Sequence, residues 1–156
     1  MAGAVQLFRD RCYKDVGAII PFSMGGEDAY AEVMARMRGW EVEAFPDIRI
    51  LHHRKSTSAR GVVKEFFTNG VMDYALGYHP FFELLKGINR IKENPPVAAA
   101  MLRMSGFAWS YALRRKRPVP AEFIHHLRHE QLDLVRAALR AVLGSPRGNR
   151  KQPDRP

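Results

Sequence analysis

The sequence predicts an α/β segment over residues 1–60, a helical extension over 61–143 and a disordered basic tail over 144–156, with helix dominating overall. Three observations lead there. Tyr30, Val33, Met34 and Met37 recur at i, i+3, i+4 and i+7, the spacing of one apolar helical stripe. Ile48 to His53 alternates, with Ile48, Ile50 and His52 on one face and Arg49, Leu51 and His53 on the other, as in a strand. Beyond Arg60 the apolar residues fall at helical spacing, broken by Gly and Pro. At 156 residues and 46% hydrophobic content the chain is long enough for one domain with a sizeable core.

Element by element, Ala4 to Phe8 is a strand candidate, and Arg9 to Val16 a short helix stopped by Gly17. Pro21 to Gly26 is a loop. The next helix, Glu27 to Arg38, has acids in its first turn and Arg36 and Arg38 in its last, as the helix dipole favours, and Gly39 ends it. Glu41 to Phe45 and Ile48 to His53 read as strands around Pro46-Asp47. Gly61 to Thr68, Val71 to Leu76 and Phe81 to Lys92 are candidate helices, with Asn69-Gly70 and Gly77 as breaks and Pro80 in a first turn. Pro95-Pro96 separates them from Val97 to Leu113, which ends in Arg114-Arg115-Lys116-Arg117. Glu122 to Leu143 is a long amphipathic helix, with Phe123, Leu127, Leu134, Val135, Ala138, Leu139 and Val142 on its buried side.

Composition narrows the function classes. The net charge of +9 attracts anions: nucleic acid, acidic lipid or a phosphorylated substrate. Cys12 is the single cysteine, which excludes an internal disulfide, fits a reducing compartment and reads as a packing residue. Arg9, Asp10 and Arg11 interrupt the apolar start, so no secretory leader is expected. Pro96 to Leu113 comes nearest to a membrane span but contains Arg103 and Gly106 and falls short of the roughly 20 apolar residues needed.

The chemistry-bearing residues cluster around one helix start. Gly25-Gly26 precede Glu27 and Asp28, so a carboxylate at a helix N-terminus stands beside backbone that an acceptor can approach closely. The plainer alternative is that both acids only satisfy the helix end. His52, His53 and Arg54 close the following strand: an imidazole there can complete a metal site, and a guanidinium can clamp a diphosphate. Against this stand a hydrogen-bonded histidine and a solvated arginine. His125 and His129 share a helical face, but no HExxH accompanies them and a solvated face is expected. Phe107, Trp109 and Tyr111 before the basic block suit an anionic membrane interface, with an ordinary buried helix as the competing reading.

Gly3 to Arg9, then Cys12, Val16-Gly17, Gly25-Gly26-Glu27-Asp28, Ala35-Arg36, Gly39-Trp40 and His52-His53-Arg54 together resemble the second half of a family 2 glycosyltransferase domain of the GT-A fold. Asp73 to Pro80 and Glu130-Gln131 resemble a bacterial subgroup of that family. The resemblance implies a GT-A-like sheet region within residues 1–60. It implies Asp28 as the catalytic base on an acceptor hydroxyl, His52 at the metal, and Glu27, His53 and Arg54 at the acceptor or the diphosphate. It also implies inverting transfer from a nucleotide-sugar donor onto an acceptor hydroxyl, with Mn²⁺ or Mg²⁺; the basic, aromatic 97–117 region points to a polysaccharide or lipid-linked acceptor. The single cysteine and the same 97–117 region lead to the expectation of a cytoplasmic setting, peripheral at the inner face of the membrane. Such enzymes begin with a nucleotide-binding half and an acidic DxD motif, and this chain carries no DxD. A missing N-terminal half is therefore an expected partner, and little activity is expected without it. The rival reading is a non-enzymatic basic module for nucleic acid or a membrane surface. Scattered basic residues, with no RNA-binding aromatic pair, make nucleic acid the weaker of those two.

Overall fold

Two helices crossing at backbone contact organise the helical region. The computed structural model describes residues 6–17, 22, 25–45, 48, 61–89 and 96–144. Among them are six helices: α1 (Asp10–Val16), α2 (Glu27–Met37), α3 (Val62–Ala75), α4 (Pro80–Asn89), α5 (Pro96–Ala112) and α6 (Ala121–Gly144). α3 and α5 share the most extensive contact. A Cβ on Gly70 would collide with the Arg103 carbonyl, and one on Gly106 with the Phe67 carbonyl. Hydrogen in place of a side chain at both positions lets the helices touch backbone to backbone. Asn69-Gly70 is thus no break: α3 runs through it.

One turn from each glycine sits a charged residue on the same face, Asp73 after Gly70 and Arg103 before Gly106. The Arg103 Nε donates to Asp73 Oδ2 at 2.7 Å and to Glu83 Oε1 of α4 at 3.1 Å. Lys86 Nζ adds a bond to Asp73 Oδ1 at 3.2 Å and lies 3.5 Å from Glu83 Oε2. Asp73 and Glu83 are buried, so the two acids and two bases neutralise one another away from water. Glu83 Oε2 accepts no hydrogen bond from a described residue. Burial, and then the nearby Asp73 carboxylate, push the Glu83 carboxyl above its ordinary value. Burial pulls the Lys86 ammonium down. Burial would also lower Arg103, but Asp73 and Glu83 outweigh it and hold the guanidinium charged.

A second core joins the start of the chain to α6. Cys12 and Val16 of α1, Tyr30, Val33 and Met34 of α2, Leu76, and Phe123 and Leu127 of α6 are buried together. Tyr30 stacks on Phe123 with ring centroids 5.0 Å apart. α2 has the expected stripe and closes at Gly39, whose N–H reaches the Arg36 carbonyl while Trp40 N–H reaches Ala35. Arg36 grips Glu130 with two bonds of 2.9 and 3.1 Å. His79 N–H donates to the buried Gln131 at 2.8 Å, and Arg128 to the Gly77 carbonyl at 2.9 Å.

Several expectations need correction. The GT-A-like α/β sheet region is not found: among the described residues there is no strand. Gln6 to Phe8 and Glu41 to Phe45 are irregular. All five residues of the second segment are exposed, so neither face of its alternation has a layer to cover it and no neighbouring strand pairs its backbone. Ala4 and Val5, and the strand expected at Ile48 to His53 apart from the irregular Ile48, lie outside the described residues. The mostly helical expectation agrees with the structure. α6 is buried at Phe123 and Leu127, but Leu134 and Leu139 are exposed because the helix outruns the elements packed against it.

Substituting Gly106→Ala is expected to destabilise the protein by about 1–3 kcal/mol or more, since a methyl group must be forced against a helix backbone. Urea denaturation followed by far-UV circular dichroism measures it. Glu83 yields a pH prediction. The folded protein holds that proton more tightly than the unfolded chain. Its contribution to stability therefore falls as pH rises from the ordinary value of 4.5 through the raised folded value. Glu83→Gln is expected to remove that decline, seen as a smaller loss of melting temperature between pH 4.5 and 7 than in the parent protein.

Candidate functional site

The Gly25-Gly26-Glu27-Asp28 turn is built by backbone that side chains resist. Gly25 and Gly26 have φ of 85° and 107°, in the left-handed region where a Cβ is strained. Gly26 also lies close over α3: a Cβ there would stand 3.0 Å from Met72 Sδ. Gly26 caps α2 with no side-chain bond, and its carbonyl accepts from Tyr30 N–H at 2.9 Å.

The two acids have different surroundings. Glu27 Oε1 accepts from the Phe22 N–H at 3.1 Å, tying the incoming loop to the helix start. This is the plainer, structural role. The Asp28 side chain is exposed, and no described residue donates to its carboxylate. Gln6 approaches from the side, donating to the Asp28 backbone carbonyl at 3.2 Å and to Glu32 Oε1 at 3.1 Å. Partial burial, then the charges of Glu27 and Glu32, push the Asp28 carboxyl above its ordinary value. A carboxylate shifted that way is a better proton acceptor.

Beside this turn is a cavity of about 330 Å³. Phe22 and Gly25 form one wall, Met72 of α3 and Leu76 just past its end another, and Arg115 and Lys116 a cationic rim. Tyr74 fixes that rim: its hydroxyl donates to the Arg115 carbonyl at 3.0 Å, and the Arg117 guanidinium lies 4.4 Å from its ring centroid. Arg114 takes φ of 46° as α5 ends, and the Arg115 N–H reaches back to the Ser110 carbonyl at 3.2 Å. Asp28 does not line the cavity. Gly25 does, and three residues of chain keep its Cα within about 11 Å of that of Asp28.

His52, His53 and Arg54, expected at the metal and the diphosphate, lie outside the described residues. Among the described residues no three His, Cys, Asp or Glu side chains gather as metal ligands. On α6, His126 Nε2 lies 3.2 Å from Glu130 and His129 Nδ1 lies 3.1 Å from Asp133. Phe107, expected at an interface, is buried against Tyr74, whereas Trp109 and Tyr111 are exposed. Sequence reasoning missed the Asp73–Glu83–Lys86–Arg103 cluster and the role of Arg115 and Lys116 beside Gly25. A lone arginine in an otherwise uncharged helix was the available signal, because a buried guanidinium requires acid partners.

Comparison with protein-family models, curated proteins and solved structures finds no match.

Proposed function

We propose that the chain supplies the acceptor-side residues of an inverting, metal-dependent glycosyl transfer and turns over no nucleotide sugar by itself. The observation that carries this is the division of labour at the helix start. Glu27 is used to hold the loop, while Asp28 is exposed, unpartnered among the described residues and raised in pKa. Other residues of the resemblance have packing roles: Arg36 with Glu130, His79 with Gln131, Asp73 with Arg103. Among the described residues the Asp28 side chain has no such partner, which supports a chemical role.

In this reading the cavity holds one part of the acceptor, a polysaccharide or a lipid-linked saccharide, whose reacting hydroxyl extends out of the cavity past Gly25 to Asp28. Its apolar wall and the Arg115–Lys116 rim suit a molecule with both greasy and anionic parts. Asp28 takes the proton of the acceptor hydroxyl. That oxygen bonds to the anomeric carbon as the carbon–oxygen bond to the nucleoside diphosphate breaks, inverting the configuration. A divalent cation, Mn²⁺ or Mg²⁺, would offset the charge on the departing diphosphate when bound. His52 is proposed as a ligand of that cation, and His53 and Arg54 as the groups that bind the diphosphate. A second segment must supply the nucleotide-binding half, because no DxD is present here. The single cysteine fits a cytoplasmic setting for the reaction.

Nucleoside diphosphate release from a panel of nucleotide sugars tests the reading. The chain by itself with Mn²⁺ is expected to release none. Combined with a nucleotide-binding segment that restores turnover, Asp28→Asn is expected to lower the rate about 10²–10⁴-fold, the usual size of a general base's contribution. Near-normal turnover by that variant would remove Asp28 from the role of base.

A further inference from the structure

The helix pair α4–α5 is inside out for a protein surrounded by water. The three ionic side chains within α4 and α5, Glu83, Lys86 and Arg103, all turn into the ion cluster. The faces left outside carry large apolar residues. On α4, Phe81, Leu84 and Ile88 are exposed at i, i+3 and i+7. On α5, Val97, Met101 and Trp109 are 54, 66 and 54% exposed. At 100° per residue these three span one arc of α5, with the small Ser105, Ala108 and Ala112 between them and the buried Ala99, Arg103, Gly106 and Ser110 opposite. The two helices pack on each other near Gly87 and Met104. α5 has no acidic residue, and exposed Arg114, Arg115 and Lys116 follow its C-terminal end.

We propose that this α4–α5 face docks on an anionic lipid bilayer, lying in its interface. Charge decides for lipid. An apolar arc free of acid, ending in three exposed cations on a chain of net charge +9, complements a surface that is hydrocarbon beneath and negative at the head groups. Trp109 stands in the turn next to those cations, at the level where indole rings favour the head-group region. No helix among the described residues is long and apolar enough to cross a membrane, so the contact is one of lying on the surface. The inference stands independently of the glycosyl transfer reading.

Vesicle sedimentation of the full chain tests it, with vesicles of 70% phosphatidylcholine and 30% phosphatidylglycerol at low salt. The chain is expected to sediment with them. The Trp109 emission should shift to the blue in a Trp40→Phe background. Leu84→Asp with Met101→Asp, both exposed and so compatible with folding, should lower the bound-to-free ratio at least tenfold, with an unchanged circular dichroism spectrum. Three results would each overturn the proposal. The chain could fail to bind these vesicles. It could bind equally well with both aspartates in place, which assigns the binding to charge elsewhere. It could form a dimer in solution that the same aspartates dissociate, which assigns the face to a second copy.

Discussion

Backbone contact between α3 and α5 at Gly70 and Gly106 is the constraint on which the helical region depends. Helices that close cannot hold a side chain at the crossing, but they bring the residues one turn away into range of each other. Those residues are Asp73 and Arg103, and their pairing draws Glu83 and Lys86 of α4 inward as well. Arg103 is thereby satisfied in a place where an unpaired guanidinium would be very costly. The same geometry has an outward consequence: with its charges gathered inside, the α4–α5 pair presents mostly apolar side chains to its surroundings.

The cluster orders more than its own helices. From Asp73 the chain runs through Tyr74 in the last turn of α3 to Leu76 and Gly77 just beyond it. Tyr74 anchors the Arg115–Arg117 segment, Leu76 enters the core with Tyr30 and Phe123, and the Gly77 carbonyl receives Arg128 of α6. α2 rests on that core, and Gly26 rests on Met72 of α3 and on Leu76 just past its end. The position of Asp28 and the cavity beside it thus derive from the crossing through a short chain of contacts. An exposed carboxylate has no contact of its own that would hold it there.

Helices were readable because their signal is local. The Tyr30–Met37 stripe, the Gly39 stop and the Pro80 start need only the neighbours along the chain, and α2 begins and ends, and α4 begins, close to where those residues place them. Strands were not, because alternation at Glu41 to Phe45 says nothing about whether a partner strand exists, and here the segment stays exposed. The misreading of Gly70 has the same root. A glycine inside a helix is a weak point by propensity, and only a second helix pressed against it turns it into a packing device. Leu134 and Leu139 show the reverse error, apolar spacing without a surface to cover it. Of the site, the glycine pair and the acids were legible as a motif. The separate roles of Glu27 and Asp28, and the arrival of Arg115 and Lys116 from 90 residues away, required the tertiary arrangement.

Amide hydrogen exchange, read residue by residue under native conditions, examines the crossing most directly. If it is the organising contact, amides over 67–74 and 103–110 exchange last and as one unit, at the free energy of global unfolding. Exchange of the two segments at separate and lower free energies, with α6 outlasting both, would contradict the account.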